Sequence, residues 1–180
     1  MNIKKKETIY KGFYTFSKLI VEEDGDTFER EQFDSGDAVA ALVYDTAKEK
    51  YIFVKQYRYS ADQELLEVVA GVLEKDDPEY TIRKEIKEEA GYEIDKLEHV
   101  WDFYTSPGAC TEQVHLFYAE VSKKQGEGGG LDEDHENIKI KAFTLDELRD
   151  QNLIDAKTII AVQWLLSKNH TFRKDDDVSL

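Results

Sequence analysis

Cysteine is nearly absent from this sequence of 180 residues, in which Cys110 is the only one. A single thiol excludes an internal disulfide and any metal cluster built from cysteines, and it is typical of a reducing compartment. Long apolar runs are also missing, since no stretch approaches the roughly 18 apolar residues of a membrane helix. The basic start, MNIKKK, is followed by no apolar segment typical of a signal peptide. A cytoplasmic protein is therefore expected.

Positive charge is scarce as well. Lysine and arginine number 24 against 39 aspartates and glutamates, for a formal net charge of -15. A protein that binds a nucleic-acid backbone or an anionic membrane needs a basic surface, so neither partner is expected. An anionic substrate would need a cation to bridge it to so acidic a protein, and a metal ion is the natural candidate.

Alternating and continuous apolar patterns predict a protein rich in strands. Residues 7–34 alternate polar with apolar side chains around the turn-forming stretch EDGD, which predicts two antiparallel strands. The runs AVAALVYD and YIFVKQYR predict central strands buried on both faces. Further strands are predicted at 64–71, 97–104, 113–121 and 138–143.

Capping signals predict three helices. Asp77 and Pro78 are typical of a helix start and Gly91 of a helix end, which predicts a helix over residues 78–90. Thr144 and Glu147 form a capping box at the start of a short helix, and the stretch DAKTIIAVQWLLSK predicts a longer one. This order of elements indicates an α+β domain. We divide the chain into N-terminal strands (1–35), a main domain (36–170) and a polar tail (171–180).

Three carboxylates, Glu85, Glu88 and Glu89, lie on one face of the helix predicted over 78–90, beside an apolar stripe. Like charges at this spacing cost about 0.2–0.5 kcal/mol per pair, and partial burial increases the repulsion. A divalent cation would reverse that cost, and Mg²⁺ prefers oxygen ligands of this kind. The alternative is a solvated acidic face paired with Lys84 and Lys87.

The stretch from Gly71 to Tyr92 resembles the signature box of the Nudix hydrolases, G-x5-E-x7-R-E-U-x-E-E-x-G-U, where U is a bulky apolar residue. Residues 85–92, EIKEEAGY, match its metal-binding half. Three features depart from the box. Lys84 replaces its arginine, Asp76 or Asp77 replaces its first glutamate, and the loop before Glu85 is one residue short.

The resemblance implies the Nudix fold, an α/β/α sandwich with a mixed central sheet, here with additional N-terminal antiparallel β-strands. It also implies hydrolysis of the diphosphate in a nucleoside diphosphate linked to another group, with Mg²⁺ as cofactor and Mn²⁺ as an alternative. The implied metal ligands are the Ala70 carbonyl, Glu85 and Glu89. Glu88 would be a further metal-site or supporting carboxylate, and Glu88 and Glu89 would both be catalytic.

Segments outside the box narrow the resemblance to nucleoside diphosphate sugar pyrophosphatases. The stretches VKQYRY, SPGACTE and LIDAKTII resemble the GDP-mannose pyrophosphatases of bacteria, which implies GMP and mannose 1-phosphate as products. Pro107 resembles the marker proline of ADP-ribose pyrophosphatases, so ADP-ribose, giving AMP and ribose 5-phosphate, is the alternative substrate. A sensor that binds such a nucleotide without cleaving it and a purely structural acidic domain are the alternatives in other classes.

The same resemblance implies roles for residues outside the box. Arg58 would contact phosphate, and Glu112 and Lys157 would contact the substrate. Glu136, or Glu133 if the register differs, would be a catalytic carboxylate that also reaches the metal. Arg58 and Lys157 each have a plainer alternative as a surface residue, and the alternative for the loop at 125–136 is a solvated linker.

The resemblance also bears on the N-terminal strands. Arg30 and Glu31 would contact the nucleotide. A homodimer that exchanges its N-terminal strands is implied as well, although a hairpin folded back on its own domain fits the sequence equally well. The four histidines, His99, His115, His135 and His170, share no metal-ligand spacing, which predicts structural or exposed roles.

Overall fold

The structure, a computed structural model, describes residues 1–130 and 138–171, the last three of them by backbone alone. The described parts form two sheets and three α-helices. The strands are β1 (Asn2–Lys11), β2 (Thr15–Glu23), β3 (Asp26–Asp34), β4 (Ala38–Asp45), β5 (Lys50–Arg58), β6 (Gln63–Glu67), β7 (Val69–Val72), β8 (Lys96–Tyr104), β9 (Gln113–Val121) and β10 (Lys139–Phe143). The helices are α1 (Pro78–Glu85), α2 (Leu145–Arg149) and α3 (Ala156–Thr171). Within these ranges no helix is long and apolar enough to cross a membrane.

The N-terminal sheet has three antiparallel strands in the order β1-β2-β3, so the prediction of two strands was wrong. The additional strand is β1, which pairs with β2 but is exposed along its whole length. A strand with no buried face needs no alternation of apolar residues, and the periodic pattern that reveals a strand is therefore missing from its lysine-rich first half.

The main sheet is mixed and has the order β10-β5-β4-β9-β8, with β6 paired to β5 and β7 paired to β4. Only the pair β4 and β9 is parallel. The apolar run at 64–71 contains two strands instead of one. They are separated at Val68, whose N–H donates to the Thr158 hydroxyl at 2.9 Å. The chain thereby changes pairing partner from β5 to β4, which brings β7 beside α1.

Both faces of the main sheet are covered, which confirms the predicted α/β/α sandwich. One face carries Val39, Ala41 and Val54 against Ile82 and Ile86 of the first helical segment. The other face packs on α2 and α3 through a second cluster that includes Leu42, Phe53, Leu148, Val162 and Leu165. Burial of apolar surface on both sides explains why β4 reads as a continuous apolar run.

The helix predicted over residues 78–90 has the expected extent but not a uniform geometry. The Asp77 carboxylate accepts from the Tyr80 N–H and caps α1 as predicted. After Glu85 the chain continues as one wide π-helical turn, Ile86–Ala90, and ends at Gly91, whose φ is 78°. Such turns are rare and frequently occur at functional sites. The capping box of Thr144 and Glu147 at α2 is also confirmed.

The N-terminal sheet joins the main domain through the end of β3. Phe33 N donates to the Ala109 carbonyl at 2.8 Å, and Thr111 N donates to the Phe33 carbonyl at 3.0 Å. The Thr111 hydroxyl also donates to Asp34 at 3.1 Å. These bonds bring the N-terminal sheet next to the loop between β8 and β9, which contains Pro107.

Candidate functional site

Glu89, in the π-helical turn, is a buried carboxylate with only 4% of its surface exposed. The backbone N–H of Ala70 in β7 donates to Glu89 Oε2 at 3.3 Å. Burying a carboxylate is costly unless a hydrogen bond or a positive charge compensates. The side chain is therefore held at the junction of β7 and the helix, where a cation would lower the cost of its burial.

Glu85 lies against the backbone of the same strand. A β-carbon built on Gly71 would lie 2.2 Å from Glu85 Cδ and 2.3 Å from its Oε1. Any side chain at position 71 would therefore displace the carboxylate of Glu85 from its place above the strand. The strand β7 and the helical segment thus bring Glu85, Glu89 and the backbone of residues 70–71 together.

Glu88, the third carboxylate of the box, lies at the edge of this group. Its Oε2 is 3.6 Å from Lys84 Nζ, and Lys84 also donates to Glu74 Oε1 at 2.7 Å. The hydrogen bond to Glu74 is the main reason that the pKa of Lys84 is raised. Lys84, which replaces the arginine of the box, therefore connects the helix to the loop after β7.

Residues 126–130, the glycine segment, pack on the C-terminal end of the helical segment that carries Glu85 and Glu89, here called the carboxylate helix. Gly129 N donates to the Glu89 carbonyl at 2.8 Å, and Gly130 N lies 3.3 Å from the Glu88 carbonyl. Gly128 has a φ of 69°, and a β-carbon there would lie 2.6 Å from the Glu89 carbonyl oxygen. The carbonyls at a helix end need such donors. The segment 126–130 therefore fixes the backbone that carries the two carboxylates.

Two cationic residues predicted to contact substrate, Arg58 and Lys157, converge on one buried carboxylate. Arg58 donates to both oxygens of Glu67, from Nε at 2.6 Å and from Nη2 at 2.8 Å. Lys157 Nζ lies 3.6 Å from the same Glu67, which is 1% exposed, and 2.8 Å from Asp155. The network holds both cations in fixed positions although they come from β5 and α3.

This network lies within electrostatic reach of the carboxylates. The hydrogen bonds to Glu67 raise the pKa of Arg58, and the charges of Glu89 and Asp155 raise it further. Carboxylates of this kind bind a metal ion, and a guanidinium or ammonium group beside them can bind phosphate oxygens. The residues present therefore fit a divalent cation held by Glu85 and Glu89 at the backbone of residues 70–71.

The remaining predicted site residues lie elsewhere. Glu112 accepts from the Thr105 hydroxyl at 2.8 Å in the loop between β8 and β9. Arg30 and Glu31 lie in the N-terminal sheet, where they line a cavity of about 590 Å³ together with Gly108 and Ala109. That cavity lies where the N-terminal sheet meets the loop that contains Pro107. Glu136 and its alternative Glu133 lie outside the described residues.

Three features of the structure were not predicted from the sequence. Glu67 and Asp155 hold Arg58 and Lys157, but in the sequence they are ordinary acids beside apolar segments. The glycine segment was interpreted only as a loop, although three successive glycines are a signal of close backbone approach. His99 and His115, predicted to have structural or exposed roles, lie together with Asp102, and each histidine forms a hydrogen bond with it.

Comparison with known proteins shows what this chain is similar to. Residues 34–163 match the NUDIX domain. The chain is 35% identical over 158 residues to the GDP-mannose pyrophosphatase of Cronobacter sakazakii, covering 81% of this chain and 83% of that protein. It is 31% identical over 176 residues to the protein of that name from Escherichia coli strain K12, covering 89% and 92%.

Two further relatives carry other names. The Methanol dehydrogenase activator of Bacillus methanolicus is 38% identical over 170 residues, covering 89% of this chain and 90% of that protein. A solved structure described as an ADP compounds hydrolase superposes with a TM-score of 0.76 over 96% of this chain and 95% of that chain. Its sequence identity is 17%, so it supports the fold alone.

Proposed function

We propose, from the premise that this chain belongs to the Nudix family, that it is a Mg²⁺-dependent pyrophosphatase of nucleoside diphosphate sugars, with GDP-mannose as the preferred substrate. In this reaction water adds to a phosphorus of the diphosphate, and the bond to the bridging oxygen breaks. The products from GDP-mannose are GMP and mannose 1-phosphate.

The observation that carries the proposal is the pair of carboxylates on the backbone of β7, of which Glu89 is buried and Glu85 is half-buried. Glu89 is 4% exposed, and Glu85 occupies the space above Gly71. Two acids in so confined a place favour a bound divalent cation. When bound, Mg²⁺ supplies the positive charge that lets an anionic diphosphate approach this acidic surface.

The chain's own residues position the substrate in this proposal. Arg58 and Lys157, oriented by Glu67 and Asp155, would bind phosphate oxygens. Glu112 would contact the sugar or the nucleotide. Glu88 and Glu136 would be further carboxylates for orienting or deprotonating water. Arg30 and Glu31 would bind the nucleoside from the cavity between the two sheets.

The choice of GDP-mannose is supported by relatives at 31% and 35% identity that are named for that activity. ADP-ribose is the second candidate, because Pro107 occupies the position of the marker proline. The relative with 38% identity is named for activation of another enzyme, which gives no substrate. Both nucleotides therefore belong in the first assay.

The test is hydrolysis of GDP-mannose and of ADP-ribose in parallel, with Mg²⁺, by the wild-type protein and the Glu89→Gln variant. We expect faster turnover of GDP-mannose and a loss of at least about 100-fold in kcat for the variant. Glu79→Gln, an exposed change on the same helix, is the matched control and should retain activity. Faster turnover of ADP-ribose would overturn the substrate choice. Tight binding of either nucleotide, with turnover of neither, would overturn the proposal of a hydrolase and favour a sensor.

The proposed enzyme acts as a homodimer through its N-terminal strands. Large apolar side chains lie exposed on the N-terminal sheet, including Ile9, Tyr10 and Phe13, the last with 87% of its surface exposed. Exposed apolar groups of this kind favour association with a second copy. Light scattering gives the molecular mass of the wild type and of Phe13→Asp. A dimeric wild type whose variant is monomeric supports the proposal, and a monomeric wild type contradicts it.

A further inference from the structure

His99, Asp102 and His115 form a cluster on the hairpin of β8 and β9. His99 Nε2 lies 2.7 Å from Asp102 Oδ1, and His115 Nδ1 lies 2.8 Å from the same oxygen. One candidate ligand atom from each residue lies within 4.8 Å of the others. Two imidazole nitrogens and a carboxylate oxygen are a common ligand set for divalent transition metals and a poor one for Mg²⁺.

A β-bulge is what brings the three side chains onto one face. His99 and Asp102 are three residues apart, so a regular strand would place them on opposite faces. The pairing of β8 with β9 shifts between His99 and Trp101, so that His99 lies opposite Phe117 and Asp102 lies opposite His115. Phe117 and His115 share a face, and therefore His99 and Asp102 do too. Bulges commonly re-aim a side chain toward a site.

The cluster opens onto a cavity of about 700 Å³ between this hairpin and the start of α1. Its lining includes Pro78, Tyr80 and Phe117, and its charged groups besides the cluster are Asp77, Glu79 and Arg83. Two acids and one base leave the surroundings acidic overall, which favours a cation. Because the cluster is partly exposed, an ion can reach it from solvent and retain a water or ligand in an open coordination position.

We propose that His99, Asp102 and His115 bind a divalent transition-metal ion, with Zn²⁺ as its representative, at a site separate from the carboxylates of Glu85 and Glu89. Ligand atoms around tetrahedral zinc lie about 3.3 Å apart. The two contacts to Asp102 at 2.7 and 2.8 Å therefore need to widen by about half an ångström. Two of the three side chains are on the exposed part of the hairpin and can rotate.

The location suggests what the ion would do. β8 is the edge strand of the main sheet, and the bulge interrupts its pairing with β9. A metal held by residues of both strands cross-links them at that point. Binding to the folded state alone raises the stability of the protein, whether or not the catalytic carboxylates are intact.

The test is titration of the metal-free protein with Zn²⁺ alone by calorimetry and with Co²⁺ alone by visible absorption. We expect one Zn²⁺ site that survives in a Glu85→Gln/Glu89→Gln variant, with Co²⁺ bands typical of nitrogen ligands. His99→Gln and Asp102→Asn should each weaken Zn²⁺ binding by at least about 100-fold, because loss of a direct ligand exceeds the 10- to 100-fold cost of losing an outer partner. Zn²⁺ should also raise the melting temperature of the wild type and not of these variants.

Melting curves in EDTA show whether the variants fold, and the exposed position of His99 makes it the safer substitution. His115→Gln, which alters the less exposed ligand, is the confirming variant. Zn²⁺ binding that is unchanged in His99→Gln and Asp102→Asn overturns the proposal. So does binding that disappears in the Glu85→Gln/Glu89→Gln variant, because the transition metal would then occupy the carboxylate site.

Discussion

The carboxylate of Glu85 occupies the space above the α-carbon of Gly71, so closely that a β-carbon there would fall 2.2 Å from Glu85 Cδ. The two residues come from different elements, the strand β7 and the end of α1. The contact holds Glu85, one proposed metal ligand, against β7. The backbone of the same strand donates a hydrogen bond to Glu89, the other proposed ligand. The carboxylate site therefore depends on the absence of a side chain at Gly71 as well as on Glu85 and Glu89.

Substituting Gly71 by alanine should damage the site and spare the fold. The new methyl group meets the end of a flexible side chain, so Glu85 moves aside while the strand stays in place. A displacement of about 1 Å at a catalytic group can cost about 100-fold in rate, and we expect kcat to fall by about 10- to 100-fold. Steady-state kinetics and a urea denaturation curve measure the two effects.

Gly25→Ala is the control for activity, because Gly25 lies in the turn between β2 and β3 and a β-carbon there would meet nothing within 4 Å. Its kcat should be unchanged. Equal kinetic losses in both variants, or an active Gly71→Ala protein, would contradict the role assigned to the contact with Glu85.

Substituting Gly128 by alanine should destabilise the protein. Gly128 has a φ of 69°, and an added β-carbon would lie 2.6 Å from the Glu89 carbonyl, which is backbone and cannot rotate away. Left-handed backbone costs an alanine about 1–2 kcal/mol, and the overlap should add about 1–3 kcal/mol to the loss of unfolding free energy. Urea denaturation gives the total.

Gly25→Ala separates these two contributions. Gly25 has a φ of 90° but no atom within 4 Å of its β-carbon position, so that variant bears the backbone strain alone. If Gly128→Ala is no less stable than Gly25→Ala, the glycine segment does not pack on the carboxylate helix as described.

Replacing Arg58 by lysine should reduce both stability and catalysis. Lysine cannot reproduce the two parallel hydrogen bonds to Glu67, which is 1% exposed and would be left partly unsatisfied. We expect a loss of about 1–3 kcal/mol in unfolding free energy. If Arg58 also binds phosphate, kcat/KM should fall by about 10- to 100-fold at temperatures where the variant is folded.

Arg149→Lys serves as the reference for this change. Arg149 pairs with Asp146 at 3.1 Å on the exposed surface of α2, and its replacement should alter stability by less than about 0.5 kcal/mol. Reduced stability of Arg58→Lys with unchanged kcat/KM would restrict Arg58 to a structural role.

Asp155 should make stability depend on pH in the acidic range. Burial by itself would raise its pKa, but the charge of Lys157 and hydrogen bonds from Lys157 and Thr158 outweigh burial and lower the pKa below the ordinary 3.8. A carboxylate with a lowered pKa stabilises the folded state above its unfolded pKa. That contribution is lost as pH falls through the lower, folded value.

The comparison is between wild type and Asp155→Asn, by urea denaturation from about pH 7 down to about pH 3. The variant should be less stable by about 1–3 kcal/mol at neutral pH, and the difference should narrow below 3.8 as Asp155 itself becomes protonated. Asp146→Asn, on the exposed surface, should show no such difference. A difference in unfolding free energy that stays constant over the whole pH range would contradict the lowered pKa of Asp155.

The features that the sequence predicted well are local ones. The start of α1 at Asp77 and Pro78 follows from residues adjacent in the chain. So do the buried strands β4 and β5, because an apolar run is visible without knowledge of its partners. Glu85 and Glu89 could be paired from spacing alone, since one helical segment carries both. Resemblance to the Nudix box extended these patterns to an expected fold and reaction.

The helix that carries the carboxylates, the central strands and the family of the chain could thus be predicted from the sequence. The tertiary structure was needed to find that Gly71 makes room for Glu85, that Glu67 orients Arg58, and that a bulge gathers His99 and His115 around Asp102. The physical reason is that helical period and capping depend on neighbours within about one turn. Strand register, close backbone approach and buried ion pairs depend on residues brought together from distant parts of the chain.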